Sequence, residues 1–277
     1  MQVFLINLNR RTDRLNAMTA RLARLGLAAT RIPAIDAADV SAGWLAQFFR
    51  ANGPLGVIPK GDQCCSLSHR RAWSAFLAGG APFATVLEDD VVLSDAASLL
   101  LRRTDWIAGG ARLVKLEHFG PQSQRVLVGK QTDIGAGHSI APILSRHTGA
   151  AAYVISRAAA MRLAAIDRWD VPVDHLMFNP NVSPLARELK PLQLLPAIAR
   201  QSADSSDIKP WRLAGRRLST KLVKREIVRA YYECRLLPQQ IAAVLAGEAH
   251  LARVAGPLPV RFDRPYPELV PVRTATV

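Results

Sequence analysis

The sequence has few cysteines and no long apolar run, and each shortage excludes a class of protein. Three cysteines in 277 residues do not make a disulfide framework, and two of them, Cys64 and Cys65, are adjacent. No Cys-x-x-Cys or His-x-x-x-His spacing indicates zinc, so a reducing, cytoplasmic setting is expected. No apolar run approaches the roughly eighteen residues of a transmembrane helix. The short apolar N-terminus, with arginines directly after it, favours a buried strand over a signal peptide.

Acidic residues are also scarce relative to basic ones. The chain has 22 Asp and Glu against 36 Lys and Arg, a formal net charge of +14. Such a charge favours anionic small molecules, anionic lipid surfaces or nucleic acid as partners, and does not choose among them. Hydrophobic residues make up 49% of the chain, enough for a substantial core in one large domain or in a domain with an appendage.

The hydrophobic pattern predicts alternating strands and helices. A strand at 3–8, a helix at 13–25 stopped by Gly26, and a strand at 30–35 form one βαβ unit, which favours a parallel sheet. Further predicted helices are 62–77, 94–101 with Ser94 as its cap, and 156–166 starting at Ser156. Further predicted strands are 83–87, 112–117, 150–155 and 192–198.

Two segments lack that regularity. Residues 120–146 are rich in glycine and polar side chains with weak periodicity, which indicates a flexible or substrate-gating loop. Residues 209–235 carry nine basic and two acidic residues with an apolar stripe at helical spacing, and prolines dominate the chain after 257. We therefore expect a catalytic domain at 1–205 and a basic helical extension with a proline-rich tail at 206–277.

Three consecutive carboxylates, Glu88, Asp89 and Asp90, end the predicted strand Phe83–Leu87. Ligands bind beyond the carboxyl ends of strands in open α/β sheets, and carboxylate oxygens suit a hard divalent cation. An acidic, solvated turn is the alternative. Side chains alternate along an extended segment, so Glu88 and Asp90 can share a face that Asp89 does not, and either pair remains open for coordination.

Several segments in order resemble the family 25 glycosyltransferases, which include bacterial lipooligosaccharide and collagen galactosyltransferases. The resemblance covers roughly residues 1–180, whereas 61–65 departs from the glycine-rich form expected there. The matching segments are Val3–Leu8 with Arg10, Arg11 and Arg14; Ser66–His69; Val86–Val91; His147–Gly149 with Ala152–Arg157; and Pro172–Asp174.

The resemblance implies an α/β fold of the GT-A-like type, a mixed, mostly parallel sheet flanked by helices. It also implies a nucleotide-sugar donor, usually a UDP-hexose, and Mn²⁺ held at the acidic motif by Glu88 and Asp90. Asp89 would contact the donor ribose. A bound Mn²⁺ would act as a Lewis acid on the departing diphosphate.

Other residues of the matching segments are candidates for donor binding. Arg10, Arg11 and Arg14 follow the first strand and are expected to clamp the diphosphate or the uracil side, with a solvated cationic turn as the alternative. Ser68 and His69 are candidates for donor or metal contact, although a buried histidine is often structural. The glycine at 149 would permit close backbone approach to a sugar, or form an ordinary turn.

An inverting transfer needs a base for the acceptor hydroxyl. Asp174, presented after Pro172 and Val173, is the first candidate, with metal ligation or helix capping as rival roles. Glu117, at the end of the predicted strand 112–117, is the second candidate.

These residues and the resemblance together predict a cytoplasmic, metal-dependent transferase, and the resemblance implies that it inverts the anomeric carbon. It would move a hexose, first of all galactose, from a UDP-sugar to a bacterial surface glycan such as the lipopolysaccharide core. The basic segment 209–235 would hold it at the inner face of the inner membrane, with a solvated helix packed on the catalytic domain by its apolar stripe as the alternative. The alternatives are a glycoside hydrolase, a metal-dependent phosphoryl transferase, and a nucleic-acid- or membrane-binding protein without catalysis. The sequence lacks the glycine-rich phosphate loop that would favour the phosphoryl transferase.

Overall fold

The computed structural model describes residues 1–107, 110, 112–119, 123–202 and 220–255. The strands in chain order, β1 to β13, are Gln2–Asn7, Thr30–Pro33, Phe83–Glu88, Val91–Leu93, Leu113–Lys115, Glu117–His118, Arg125–Gly129, Thr132–Gly135, His138–Pro142, Ala152–Ser156, Leu192–Leu195, Ala199–Gln201 and Ala249–Arg253. The helices, α1 to α9, are Thr12–Arg24, Ala42–Leu45, Lys60–Ala78, Ala96–Leu100, Arg157–Ala164, Val173–Phe178, Pro184–Leu189, Thr220–Arg235 and Leu237–Leu245.

A central 8-stranded sheet has the order β2-β1-β3-β10-β5-β11-β9-β8. The first βαβ unit is confirmed, because β1 pairs in parallel with β2 and also with β3. The pairings of β10 and β9 with their neighbours are antiparallel, and the other strands of the sheet share one direction. The sheet is thus mixed and largely parallel, as the sequence predicts.

Apolar side chains cover both faces of this sheet. Along β1, Phe4 and Ile6 join one buried cluster, and Val3 and Leu5 join another, as the alternation of side chains in a strand requires. Helices α3 and α5 supply the first cluster, while α1 and α4 supply the second. A strand buried on both faces needs a continuous apolar run, and the run from Val3 to Ile6 has that character.

The sequence predicts a residue that ends or caps a helix at three positions, and the structure confirms two of them. Gly26 adopts φ +64° after α1, and the Leu27 N–H bonds to the Leu22 carbonyl at 2.8 Å, a Schellman-type end. The Ser156 hydroxyl caps α5 by accepting from the Ala159 N–H at 3.2 Å. The Ser94 prediction is wrong, because the N-cap of α4 is Asp95 and no side chain caps that helix.

The flexible loop predicted at 120–146 is also wrong for its described residues, which form β7, β8 and β9. Glycines account for the error, since they break the pattern at the hairpin between β8 and β9. There Gly135, Ala136 and Gly137 all adopt positive φ, from 54° to 82°. Strand β9 pairs with β11 in the central sheet, so long-range pairing, rather than local propensity, orders this segment.

The C-terminal part of the described chain packs against the rest. Strand β13 pairs with β7, and the Val254 carbonyl accepts from the Ala197 N–H at 3.0 Å. Helix α8 falls within the basic segment 209–235, of which 209–219 lies outside the described residues, as does the proline-rich tail. Within the described residues, no helix combines the length and apolar character that crossing a membrane requires.

Candidate active site at the carboxyl edge of the sheet

The acidic motif lies where parallel strands β1 and β3 end side by side. Ile6 is paired with Glu88, so Asn7 and Asp89 extend from the same edge of the sheet. The Asn7 amide donates to Oδ2 of Asp89 at 2.6 Å, and the Arg14 guanidinium lies 3.3 Å from Oδ1 of the same carboxylate. Both Asp89 oxygens are therefore held by the protein itself.

Asp90 differs from Asp89, because one of its oxygens is left without a partner. Its Oδ1 atom is buried and accepts no hydrogen bond from any described residue. Burial raises the pKa of Asp90 to about 7, and repulsion from Glu88 adds to this change in pKa, while Arg14 opposes it. An unpartnered carboxylate oxygen beside a second carboxylate is a fit for a divalent cation, which would satisfy the oxygen and relieve the repulsion.

Glu88 is held by a chain of buried aromatic groups. The Trp73 indole donates to the Tyr153 hydroxyl at 2.8 Å, and that hydroxyl lies 2.9 Å from Nδ1 of His69. An indole N–H can only donate, so the hydroxyl accepts from it, and with the ring hydrogen of a neutral His69 on Nε2, facing the Glu88 carboxylate, the hydroxyl gives its own hydrogen to Nδ1. Nε2 of His69 donates that ring hydrogen to Oε1 of Glu88 at 3.1 Å. This chain sets the position of the Glu88 carboxylate.

Helix α3 presents Cys65, His69 and Trp73 on one face, because each lies four positions after the one before it in the chain. The Cys65 thiol lies 3.6 Å from Oε1 of Glu88, the oxygen that also accepts from His69. Burial raises the pKa of this thiol well above its usual value, and the charge of Glu88 raises it further. The thiol is thus protonated and donates to Glu88 in this state.

A buried ion pair lies beside the acidic motif. Lys115 lies 2.7 Å from Oε1 of Glu117, and neither side chain is exposed to solvent. Burial raises the pKa of Glu117 and lowers that of Lys115, and each partner offsets part of the change in the other's pKa. The same Glu117 oxygen accepts from the Ala151 N–H at 2.9 Å. Glu117 is therefore enclosed by protein groups.

Gly149 joins this ion pair to Asp174. Its carbonyl accepts from Lys115, and its N–H donates to Oδ2 of Asp174 at 3.2 Å. With φ at +88°, a Cβ here would lie 2.9 Å from a Glu117 oxygen, so only glycine fits. In this structure Glu117 and Phe119 lie next to the glycine, and close approach of its backbone to a sugar stays a prediction.

Asp174 lies in the first turn of α6 and accepts from backbone amides. Oδ1 accepts from its neighbouring His175 N–H at 2.8 Å, in addition to the Gly149 bond. Burial pushes the pKa of Asp174 up, but His175, these two N–H groups and Lys115 outweigh it and lower the pKa. The carboxylate is therefore ionised at neutral pH.

The remaining predicted residues lie at different distances from the acidic motif. Arg14 reaches Asp89, whereas Arg10 pairs with Asp36 at 2.6 Å and Arg11 with Asp13 at 2.8 Å. The Ser68 hydroxyl is buried, accepting from the Ile35 N–H just beyond β2 at 2.9 Å and donating to the Cys64 carbonyl at 2.7 Å. Donor contact by Ser68 stays a prediction.

Sequence reasoning did not identify Asn7, Cys65, Lys115 or Tyr153 as members of this site. The four-residue spacing of Cys65 and His69 on a predicted helix was an available signal. Asn7 and Tyr153 lie within apolar strands, where a single polar residue points to a buried partner that only the fold brings close. Lys115 pairs with Glu117, two positions later in the chain, so that spacing was a further available signal.

Comparison with known proteins identifies the family to which this chain is similar. The family model described as "Glycosyltransferase family 25 (LPS biosynthesis protein)" matches residues 1–177. The chain belongs to glycosyltransferase family 25. The matched residues of this family 25 chain include the acidic motif, Glu117, Gly149 and Asp174.

Curated relatives of the family 25 chain are named for the biosynthesis of lacto-N-neotetraose or of lipooligosaccharide. It is 34% identical over 154 residues to the lacto-N-neotetraose biosynthesis glycosyltransferase LgtB of Neisseria gonorrhoeae, covering 50% of this chain and 52% of that protein. It is 28% identical over 186 residues to the lipooligosaccharide biosynthesis protein lex-1 of Haemophilus influenzae, covering 62% and 59%. The chain thus spans little more than half the length of these relatives.

Proposed function

We propose that this protein is a metal-dependent, inverting glycosyltransferase that moves a hexose from a UDP-sugar to a bacterial surface glycan. The observation that carries the proposal is the arrangement of Glu88 and Asp90 at the shared end of β1 and β3, in a family 25 chain. Asp90 has a buried, unpartnered oxygen, and Glu88 has a fixed position. Carboxylates so arranged are suited to a divalent cation.

Glu88 and Asp90 would hold the cation, Mn²⁺ in the first instance. When bound, it would stabilise the negative charge that develops on the departing diphosphate. Arg14 and Asp89 form the neighbouring pair, with Asp89 as the candidate contact for the donor ribose and Arg14 for its phosphates. Arg10 and Arg11 follow the same end of β1 and remain candidates for binding the diphosphate or the uracil side of the donor.

Asp174 is the preferred base for the acceptor hydroxyl. It is partly exposed and ionised at neutral pH, whereas Glu117 is fully buried and paired with Lys115. A base must reach the hydroxyl whose proton it takes, which favours Asp174. In this proposal Glu117 acts as a positioning residue that holds the backbone around Gly149.

The names of the relatives suggest the substrates. Lacto-N-neotetraose and lipooligosaccharide biosynthesis point to a glycolipid acceptor and to galactose as the first donor sugar to test. Such acceptors are assembled at a membrane surface, so we propose a cytoplasmic protein that binds the inner face of the inner membrane. The net charge of +14 favours that surface over a neutral one.

The test is release of UDP from a panel of UDP-sugars, with and without Mn²⁺, in wild type, Asp90→Asn and Asp95→Asn. Asp90→Asn removes one charge and keeps the shape, and we expect at least a hundredfold loss of turnover, about 2.7 kcal/mol of transition-state stabilisation. Asp95 is an exposed carboxylate five residues beyond Asp90 in the chain, so Asp95→Asn is the matched control.

Metal-dependent UDP release that Asp95→Asn retains and Asp90→Asn lacks would support the proposal and identify the donor. A folded wild type that neither binds nor turns over any UDP-sugar would refute it. Hydrolysis of a glycan without nucleotide or metal would instead indicate a glycoside hydrolase.

A further inference from the structure

Cys65, His69 and Glu88 form a cluster whose chemistry differs from that of the acidic motif. We propose that these three side chains are a site for Zn²⁺, distinct in ligand type from the Glu88–Asp90 site and sharing Glu88 with it. Zinc binding follows from this cluster alone. Its consequence for turnover rests on the proposed function.

The ligand atoms already lie at nearly the separations that zinc requires. Nε2 of His69 is 3.1 Å and Sγ of Cys65 is 3.6 Å from Oε1 of Glu88, and all three atoms lie within 4.8 Å of one another. Tetrahedral zinc with bonds of about 2.0–2.3 Å places its ligands about 3.3–3.8 Å apart. Small side-chain rotations suffice to bring the three atoms around one ion.

The types of ligand select the metal. A thiolate and an imidazole are soft or borderline donors, which favour Zn²⁺ over Mn²⁺, whereas Asp89 and Asp90 offer only hard oxygens. The two adjoining sites therefore prefer different cations, and Glu88 belongs to both. Sequence spacing reveals only the pair Cys65 and His69, four positions apart on a helix, because the third ligand, Glu88, comes from a strand.

The surroundings of His69 resemble those of a metal ligand. Its ring is fully buried, and Tyr153, itself fixed by Trp73, holds the nitrogen that faces away from Glu88. The Glu88 side chain is 24% exposed and Cys65 is half-buried, so an ion could enter and keep a fourth position for water.

Protons balance when zinc binds. The Cys65 thiol releases its proton to solvent and becomes the thiolate ligand. Nε2 of His69 loses the hydrogen that it now donates to Glu88, and Nδ1 takes one up. The Tyr153 oxygen, which has two lone pairs, then accepts from both Nδ1 and the Trp73 indole, and its own hydrogen no longer bonds to the imidazole. The site thus changes tautomer without changing the charge of the imidazole.

Zinc in this site would remove Glu88 from the catalytic cation. Zn²⁺ is therefore expected to inhibit Mn²⁺-dependent turnover, and excess Mn²⁺ to restore it in part. The protein would then respond to available zinc at the same carboxylate that its activity needs.

Binding is tested with Co²⁺, a spectroscopic substitute for zinc, on the full-length protein without donor. We expect one Co²⁺ per chain and a thiolate-to-cobalt charge-transfer band that Zn²⁺ abolishes. The band should be lost in Cys65→Ser and reduced in Glu88→Gln, and it should persist in Cys234→Ser, which alters an exposed cysteine on α8. Circular dichroism of each variant verifies folding.

Absence of the band in folded wild type would overturn the proposal, as would a band that survives in Cys65→Ser. If the band behaves as expected and no donor is turned over, the zinc site stands and the proposed function fails. If turnover is found, Cys65→Ser should need at least tenfold more Zn²⁺ for half-inhibition than Cys234→Ser. Equal sensitivity would place the inhibitory zinc elsewhere and refute the shared carboxylate.

Discussion

At Asp90 a carboxylate occupies a largely buried position beside Glu88, and its pKa is raised from 3.8 to about 7. Between about pH 4 and pH 7 the folded protein therefore keeps a proton on the Asp90 carboxyl group that the unfolded chain has already released. Such a position costs stability in the absence of a cation, which is typical of residues retained for function rather than for folding.

The cost should appear as a pH dependence of stability. The native pKa of Asp90 lies above its unfolded value, so the wild type binds more protons when folded and loses stability as pH rises from about 4 to 7. In a chelator, Asp90→Asn should match the wild type near pH 4 and exceed it above pH 7 by a few kcal/mol. Each pH unit between the unfolded and the native pKa contributes about 1.4 kcal/mol to that difference.

Urea unfolding of both proteins across this pH range measures the difference. The same substitution should abolish turnover while it raises stability. A difference in unfolding free energy that does not change with pH would show that Asp90 is not protonated in the metal-free fold.

At Gly149 a single hydrogen atom in place of a side chain allows the backbone to bridge Lys115 and Asp174 while it lies against the Glu117 carboxylate. Gly149→Ala should lower the free energy of unfolding by about 1–2 kcal/mol for the left-handed φ and by roughly 1–3 kcal/mol more for the clash with Glu117. Gly135→Ala is the control, since Gly135 has φ +82° and open space around its Cβ. Equal losses in the two variants would show that the clash is relieved at no cost.

Among the elements, helix α3 carries most of the groups that fix Glu88, and its C-terminus is held by α5. The Arg157 guanidinium donates to the carbonyls of Gly79 and Leu77 at 2.6 and 2.5 Å, which satisfies acceptors that the end of a helix leaves free. The charge also complements the helix dipole.

Arg157→Ala should therefore lower the free energy of unfolding by about 2 kcal/mol, the usual range for two charge-assisted hydrogen bonds that are partly buried. Arg162→Ala is the matched control on the same helix. Arg162 pairs with Glu188 at 2.8 Å on the exposed surface, where such pairs contribute at most about 1 kcal/mol. A larger loss in Arg162→Ala than in Arg157→Ala would contradict this assignment.

Predictability from sequence varied among the elements. The apolar runs of β1 and β3 and the periodic helices α1, α3 and α5 were predicted within a few residues, because local pattern and caps determine them. The strands β7 to β9 were missed, since their stability comes from pairing with β11 and β13, which lie far away in sequence.

At the scale of the whole molecule, a net charge of +14 combines with an apolar surface on α9. Leu237, Ile241, Val244 and Leu245 are exposed at helical spacing on one face of that helix, and Leu245 is 82% exposed. An exposed apolar stripe on a strongly basic protein is suited to an anionic membrane surface.

Co-sedimentation with vesicles tests the membrane proposal. Binding should require anionic lipid, weaken several-fold in about 0.5 M salt, and fall about tenfold in the double variant Ile241→Ser, Leu245→Ser. Leu99→Ser alters an exposed leucine on α4 and is the control. Equal binding to neutral and anionic vesicles, or an equal loss in the control, would argue against this surface.

The sequence by itself determined the fold class, the order of the main strands and helices, and the position of the acidic motif at the end of a strand. These features depend on periodicity, caps and the alternation of side chains, which are local. Which side chains meet at that motif was decided only by the tertiary structure. His69, held by Tyr153 and through it by Trp73, reaches Glu88, and Lys115 reaches the Gly149 carbonyl, because strands and helices far apart in sequence pack around one edge of the sheet.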